Sequence, residues 1–333
     1  MRIGLIGVGR IGASHAEVVR DHPAVGEVVL ADADAARAEK VAADLGVRAV
    51  ENPQDAMRDV DAVVIAAATS AHAELMIAAA RAGLPVFCEK PVAPDIAGTV
   101  EVRDEVDRAG VPNQIGFMRR FDAGYVVARD ALRAGTLGEL QRVHMVTADA
   151  EPPPAGYIPN SGGIFRDCHV HDFDILRWVT GREVAEVYAI GANRGASYFA
   201  DAGDVDQSAA VLTLDDGTIA TAQGSRYNGG GYDVRMELAG TVSTYAVGLD
   251  DHTALVSAEP GVAFPSGTPY REFWSRFLPA YQAEINVFID VAAGKQDSPC
   301  TVADALESFY VAEAATLSRQ EHRPVRVEEV RRA

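Results

Sequence analysis

The sequence predicts an α/β protein in two parts. A doubly wound parallel sheet is expected over residues 1–120, and a large open, mostly antiparallel sheet with helices over residues 121–333. Three observations predict this. Short apolar runs alternate with helical patterns through the first part, as βαβ units with right-handed crossovers require. Gly7-Val8-Gly9-Arg10-Ile11-Gly12 lies between the first such run and the first such helix. In the second part, strand-like runs follow one another between turn signals.

In chain order, Ile3–Ile6, Glu27–Ala31, Ala62–Ala66 and Pro85–Cys88 read as strands, with helices at Ala35–Leu45 and Ala71–Ala82 among the segments between them. Leu140–Thr147, Val184–Ala192, Ser208–Leu214, Thr218–Gly224 and Val234–Leu238 read as the strands of the second part. Asp216-Gly217 joins two of them as a tight hairpin, a turn that needs positive φ. Helical periodicity returns from Tyr281 to Ser318.

Composition narrows the function classes. The 333 residues carry 30 Lys and Arg against 48 Asp and Glu, a net charge of −18. That balance argues against nucleic acid and anionic membrane surfaces as partners. Cys88, Cys168 and Cys300 show no metal-ligand spacing and cannot all pair, which fits a reducing compartment. Arg2–Gly7 already reads as structure rather than a signal peptide and no apolar run is long enough to span a bilayer, so a cytoplasmic location is expected.

The glycine loop has the G-x-G-x-x-G spacing. Gly7 and Gly9 permit a tight turn and close approach to a pyrophosphate, and Gly12 lets helix and strand pack closely. Asp32, twenty positions after Gly12, stands where a carboxylate accepts hydrogen bonds from the adenosine ribose. Its charge repels a 2′-phosphate, and Ala33, Asp34, Ala35 and Ala36 follow with no arginine among them, so NAD is expected over NADP. Asp32 as a mere helix cap is the alternative, and Asp34 is the better cap.

Cys88-Glu89-Lys90-Pro91 ends the fourth of these strands. Ligands of open parallel sheets bind beyond the carboxyl ends of the strands, which puts Lys90 near the nicotinamide end of a dinucleotide. An ammonium there can stabilise a developing alkoxide. A solvent-exposed strand-end lysine is the alternative.

Asp167, His171 and Asp174 fall at i, i+4 and i+7, so a helix would place them on one face. A carboxylate one turn before a histidine orients the imidazole and stabilises its protonated form, as a general base near neutral pH needs. Ordinary charge pairs on a solvated face have the same spacing. Cys168, His169 and His171 do not converge on a helix, so no metal is expected. His15 reads as structural.

These motifs together resemble the Gfo/Idh/MocA oxidoreductases over nearly the whole chain, and within them the inositol 2-dehydrogenase group most. Gln114–Asp122, Ser161–Phe165 and Gly231–Arg235 are similar to segments of that group. The resemblance implies a Rossmann domain followed by an α/β domain whose open sheet mediates dimers or tetramers. It implies a catalytic trio of Lys90, Asp167 and His171. Substrate contacts would come from the trio with Arg119, Tyr157, Asp174 and Tyr232, and cofactor contacts from Gly7, Gly9, Arg10, Ile11, Gly12, Asp32, Thr69, His72, Glu89 and Lys90. For His72 a capping or packing role is equally open.

The implied activity is NAD-dependent oxidation of a secondary ring hydroxyl of a small polyol, a cyclitol. The alternatives are the same chemistry at the 1- or 3-position of a pyranose, and a dinucleotide-binding sensor, which would lose the trio. Two departures stand out. Ala66-Ala67-Ala68-Thr69 lacks the proline common in relatives. Gly229-Gly230-Gly231 stands where bulkier residues are usual, and is expected to open and loosen a pocket wall.

Overall fold

The structure, a computed structural model, describes residues 1–332. It divides into two compact units, one of residues 1–121 with 279–306 and one of residues 122–278 with the described residues from 307 onward.

The first unit runs β1 (Arg2–Ile6), α1 (Arg10–Asp21), β2 (Glu27–Ala31), α2 (Ala35–Leu45), β3 (Arg48–Ala49), α3 (Pro53–Ala56), β4 (Ala62–Ile65), α4 (Thr69–Arg81), β5 (Val86–Glu89), α5 (Ile96–Ala109) and β6 (Asn113–Gly116). Its six strands are all parallel, in the order β3-β2-β1-β4-β5-β6. The order reverses between β1 and β4, and ligands of such sheets bind at that switch point. Ile3, Leu5, Val63, Val64, Val86 and Phe87 are fully buried, as strands covered on both faces demand. The Asp34 side chain caps α2 by accepting from Arg37 N, and Gly46 ends the helix in the left-handed region at φ 70°. The expected strands and helices of this part form with ends shifted by a residue or two. β3 and β6 were not expected. One has only two residues and the other carries Asn113 and Gln114, so neither shows an apolar run.

The second unit opens with α6 (Ala123–Arg133), β7 (Leu140–Ala148) and α7 (Ile158–Ser161). A π-helical turn over Phe165–His169 then leads into α8 (Val170–Thr180). β8 (Val184–Ala192), α9 (Tyr198–Asp201), β9 (Gln207–Leu214), β10 (Ile219–Ser225), β11 (Asp233–Gly240) and β12 (Thr244–Val247) follow. Helices α10 (Phe273–Ala292) and α11 (Val302–Glu321) each begin in one unit and end in the other, and β13 (Val325–Arg326) and α12 (Val327–Arg331) close the chain.

The seven-stranded sheet has the order β12-β11-β7-β10-β9-β8-β13. β7 and β10 pair in parallel and every other neighbour is antiparallel. Gly217 makes the β9–β10 turn at φ 88°, and Asp216 Oδ1 accepts from Thr218 N at 2.9 Å. Period-two alternation splits the sheet's faces. Ala210, Leu212, Leu214, Ala220 and Ala222 are buried, while Tyr188, Ile190, Val211 and Ile219 are 41% to 53% exposed. No helix among the described residues is long and apolar enough to cross a membrane.

Candidate active site

In the first unit the glycine loop closes against its neighbours. Gly7 has φ 91°, and a Cβ on it would fall 2.5 Å from the Ala67 backbone after β4. A Cβ on Gly12 would lie 1.9 Å from the Gly7 carbonyl oxygen. Gly9 differs: it caps α1, no side chain fills that cap, and nothing lies within 4 Å of where its Cβ would stand. That open cradle at the start of a twelve-residue helix fits the pyrophosphate of a dinucleotide. Arg10 is exposed and Ile11 half-buried on the first turn of the same helix.

Asp32 is 6% exposed and ties the second strand to this loop. Its Oδ2 accepts from Val8 N at 2.8 Å, and its Oδ1 accepts from Asp34 N at 2.9 Å. Arg37 Nη1 also reaches Oδ1, at 3.2 Å. The absence of arginine at the next four positions therefore does not leave Asp32 without one, because a turn of α2 brings the fifth residue back.

Thr69 is half-buried at the start of α4. His72, three residues on, is 1% exposed and has a backbone carbonyl at each ring nitrogen: Pro91 O at 2.7 Å from Nδ1 and Ala67 O at 3.0 Å from Nε2. Its ring is thus engaged by the protein itself, which favours the packing role over direct cofactor contact. Glu89 ends β5, with His15 Nε2 at 2.7 Å from its Oε1. Lys90 follows, half-buried, and the Lys90–Pro91 peptide is cis. Arg119 lies in a 3₁₀ turn over Met118–Phe121 and is 2% exposed, so it is a core residue of this unit as well as a candidate ligand.

In the second unit Asp167 lies within the π turn and His171 in the first turn of α8. The expected uninterrupted α-helix is thus wider at its start. π turns insert a residue and re-aim side chains, and they gather at functional sites. Both oxygens of Asp167 are held: Tyr157 donates its hydroxyl to Oδ1 at 2.8 Å, and Arg226 donates Nη2 to Oδ2 at 2.8 Å. Arg226, just past β10, also donates to Asp149 Oδ2 at 3.3 Å and is 3% exposed. Burial pulls its pKa down, but the acidic groups around it, the Asp167 and Asp149 carboxylates among them, outweigh burial and raise it. Burial of the Tyr157 hydroxyl, then the Asp167 charge, raises the tyrosine pKa as well.

His169 points inward: Asp172 Oδ2 lies 2.7 Å from its Nδ1 and Ser208 Oγ 2.8 Å from its Nε2. A Cβ on Gly224 would come 2.4 Å from that Nε2, so the β10 backbone closes over the ring. Asp174 is 1% exposed and accepts from Ser308 Oγ at 3.1 Å. Tyr232 is also buried, its ring edge-on to Phe277 with centroids 6.4 Å apart. Tyr157 and Asp167 are therefore brought together, whereas Asp174 and Tyr232 each keep separate partners among these contacts. The glycine run does not loosen its surroundings. A Cβ on Gly230 would fall 2.3 Å from Ala254 O, and one on Gly231 2.6 Å from Tyr270 O, so two of the three glycines permit tight packing.

Arg226 escaped the sequence reading. Its signal was an arginine directly after a strand that is otherwise Ile, Ala, Thr, Gln, Gly and Ser.

Comparison with known proteins adds to this geometry. The family described as "Oxidoreductase family, NAD-binding Rossmann fold" matches residues 1–117, and the "GFO/IDH/MocA C-terminal domain" matches residues 125–246. The myo-inositol dehydrogenase Hyg17 of Streptomyces leeuwenhoekii is 37% identical, over 96% of this chain and 98% of its own. A probable dehydrogenase from Thermotoga maritima superposes with a TM-score of 0.93 at 33% identity, over 99% of this chain and all of the other. The scyllo-inositol dehydrogenase of Lactobacillus casei, solved with NAD(H) and scyllo-inositol, gives a TM-score of 0.87 at 28% identity, over 98% of this chain and 99% of that one.

Proposed function

The chain belongs to the GFO/IDH/MocA family and is an NAD-dependent oxidoreductase acting on CH–OH, and from that premise we propose that it oxidises a secondary ring hydroxyl of an inositol to the ketone. The observation that carries this reading is Asp167, fixed at both oxygens by Tyr157 and Arg226 four residues before His171. Two of the relatives named above, the Streptomyces leeuwenhoekii myo-inositol dehydrogenase and the Lactobacillus casei scyllo-inositol dehydrogenase, match over nearly their full length and support this substrate class.

His171 accepts the proton of the substrate hydroxyl. Asp167, held anionic by the Arg226 cation, orients His171 and stabilises its protonated form. Lys90 donates a hydrogen bond to the same oxygen as negative charge develops on it. NAD, when bound, supplies the hydride acceptor. The loop at Gly7, Gly9 and Gly12 would hold its pyrophosphate and Asp32 its adenosine ribose, with Arg10, Ile11 and Thr69 bordering that seat. Arg119 of the first unit and Tyr157, Asp174 and Tyr232 of the second would shape the polyol site.

The test is NADH absorbance on addition of a panel of inositols and pyranoses to the purified protein with NAD. Turnover of an inositol at a higher kcat/KM than any pyranose is expected. A pyranose preferred over every inositol would replace this reading, and NAD binding without reduction by any polyol would make the protein a sensor.

The sheet face carrying Tyr188, Ile190, Val211 and Ile219 is the surface by which we propose the chain self-associates as a dimer or tetramer. Exposed large apolar side chains gathered on one sheet face mark an interaction surface.

A further inference from the structure

The residues on either side of Lys90 are each gripped by a buried histidine, and the two histidines come from different helices. On the amino-terminal side, Glu89 Oε1 lies 2.7 Å from Nε2 of His15 in α1. On the carboxyl-terminal side, Pro91 O lies 2.7 Å from Nδ1 of His72 in α4. Both rings are 1% exposed. His15 is edge-on to Phe87 with centroids 5.5 Å apart, and the Tyr281 ring lies tilted to it at 6.1 Å. His72 reaches a second backbone oxygen, Ala67 O, at 3.0 Å. Carbonyl oxygens only accept, so the ring nitrogen that carries the hydrogen donates to the carbonyl it faces.

The surroundings are shaped to admit this arrangement. A Cβ on Gly116 would fall 2.8 Å from Glu89 Oε2, so glycine at that position of β6 makes room for the carboxylate. Glu284 of α10 is fully buried and brings its carboxylate within 4.8 Å of the His15 and Glu89 ligand atoms. Burial, then the Glu89 charge, lifts the Glu284 pKa well above its ordinary value, which favours its neutral form beside Glu89. The three residue types could suit a metal ion. The direct His15–Glu89 contact, however, already joins two of the atoms an ion would need.

We infer that His15 and His72 are positioning residues for Lys90, fixing the backbone on both sides of it so that the ammonium is held in one place. The inference rests on the reading of Lys90 as a catalytic group. The two anchors share a frame with the glycine loop. His15 lies on the helix that starts at Gly9, and His72 holds Ala67, the residue against which Gly7 packs. The seat proposed for the dinucleotide and the lysine proposed to act beside it are thus registered through the same two side chains.

A double-mutant cycle tests this. His15→Gln, His72→Asn, Lys90→Ala and the two doubles with Lys90→Ala are compared by kcat, KM and NADH fluorescence titration, with His15→Ala and His72→Ala beside them. Each alanine variant is expected to lower kcat about 10- to 100-fold, since misplacement on the ångström scale costs that much. NADH binding should change less than about threefold, and the amide variants should recover part of the loss because an amide N–H can meet the same acceptors. In the Lys90→Ala background the histidine substitutions should cost nothing further. Losses in the two doubles that multiply with that of Lys90→Ala would overturn the inference alone. Full turnover in Lys90→Ala by itself would overturn the reading of Lys90 and the inference with it.

Discussion

Arg226 and Asp167 form a 2.8 Å ion pair across 59 residues of sequence, with the arginine side chain 3% exposed and the carboxylate 12%. The same guanidinium serves Asp149. Removing it leaves two partly buried carboxylates without that cation, and breaking a buried pair from one side typically costs about 3–5 kcal/mol. Arg226→Met is expected to lower stability by about 3 kcal/mol in urea denaturation and to depress kcat more than it changes KM. Arg226→Lys should recover part of the stability but not the two-pronged geometry. Unchanged kcat in Arg226→Met would remove the arginine from the mechanism.

Lys90→Ala and His171→Ala are each expected to cut kcat by about 10²–10⁴-fold, the usual scale for a lost acid–base or alkoxide-stabilising group. NADH binding, followed by fluorescence, should stay near that of the parent. Comparable turnover in both variants would sink the proposed roles.

The contact from Arg37 to Asp32 bears on cofactor choice. Asp32→Ser removes the charge that repels a 2′-phosphate and releases a half-exposed arginine beside it. The ratio of kcat/KM for NADP to that for NAD should rise by about tenfold or more. An unchanged ratio would mean that Asp32 does not face the ribose.

Glu284 makes a pH-dependent cost. Its folded-state pKa lies well above the ordinary 4.5, by burial and then by Glu89. The stability it permits is complete below the unfolded value and is lost as pH climbs through the folded one. Each unit of difference corresponds to about 1.4 kcal/mol. Glu284→Gln, which cannot ionise, should melt close to the parent near about pH 5 and increasingly above it towards about pH 9. Parallel melting curves across that range would show that the carboxyl is not held neutral.

Charge placed on the open sheet should break self-association. Val211, on β9, is 48% exposed between Tyr188 and Thr221 of the neighbouring strands. Val211→Glu is expected to shift the sedimentation coefficient from that of an oligomer to that of a monomer, with little effect on the melting temperature. A parent protein that sediments as a monomer would remove the proposal.

Much of this was legible in the chain because it depends on local spacing. The glycine loop, Asp32 and the strand ending at Glu89 are read from neighbours a few residues apart, and the βαβ rhythm fixes which end of the sheet they share. What was not legible depends on closure across long separations. Arg226 reaches Asp149 because β10 pairs in parallel with β7, Ser225 opposite Ala148, and it reaches Asp167 across 59 residues of sequence. The π turn at Phe165–His169 has no propensity signal distinct from an ordinary helix. Glu284 did leave a trace. It interrupts the otherwise apolar stripe of Phe277, Ala280, Tyr281, Ile285 and Phe288, and a carboxylate there has to find partners inside the protein.

The first unit is discontinuous, and this has a consequence for its biosynthesis. Residues 1–121 leave the ribosome long before residues 279–306 are made. Until then the core around Phe87 lacks Ile285, Phe288 and Ile289, and the amide of Ile115 lacks the Cys300 carbonyl that accepts from it at 2.8 Å. The dinucleotide-binding sheet therefore cannot finish folding in the order of its synthesis. It has to wait, part-formed and with apolar surface exposed, for a helix encoded some 160 residues downstream. A nascent chain stalled before that helix is a natural client for chaperones.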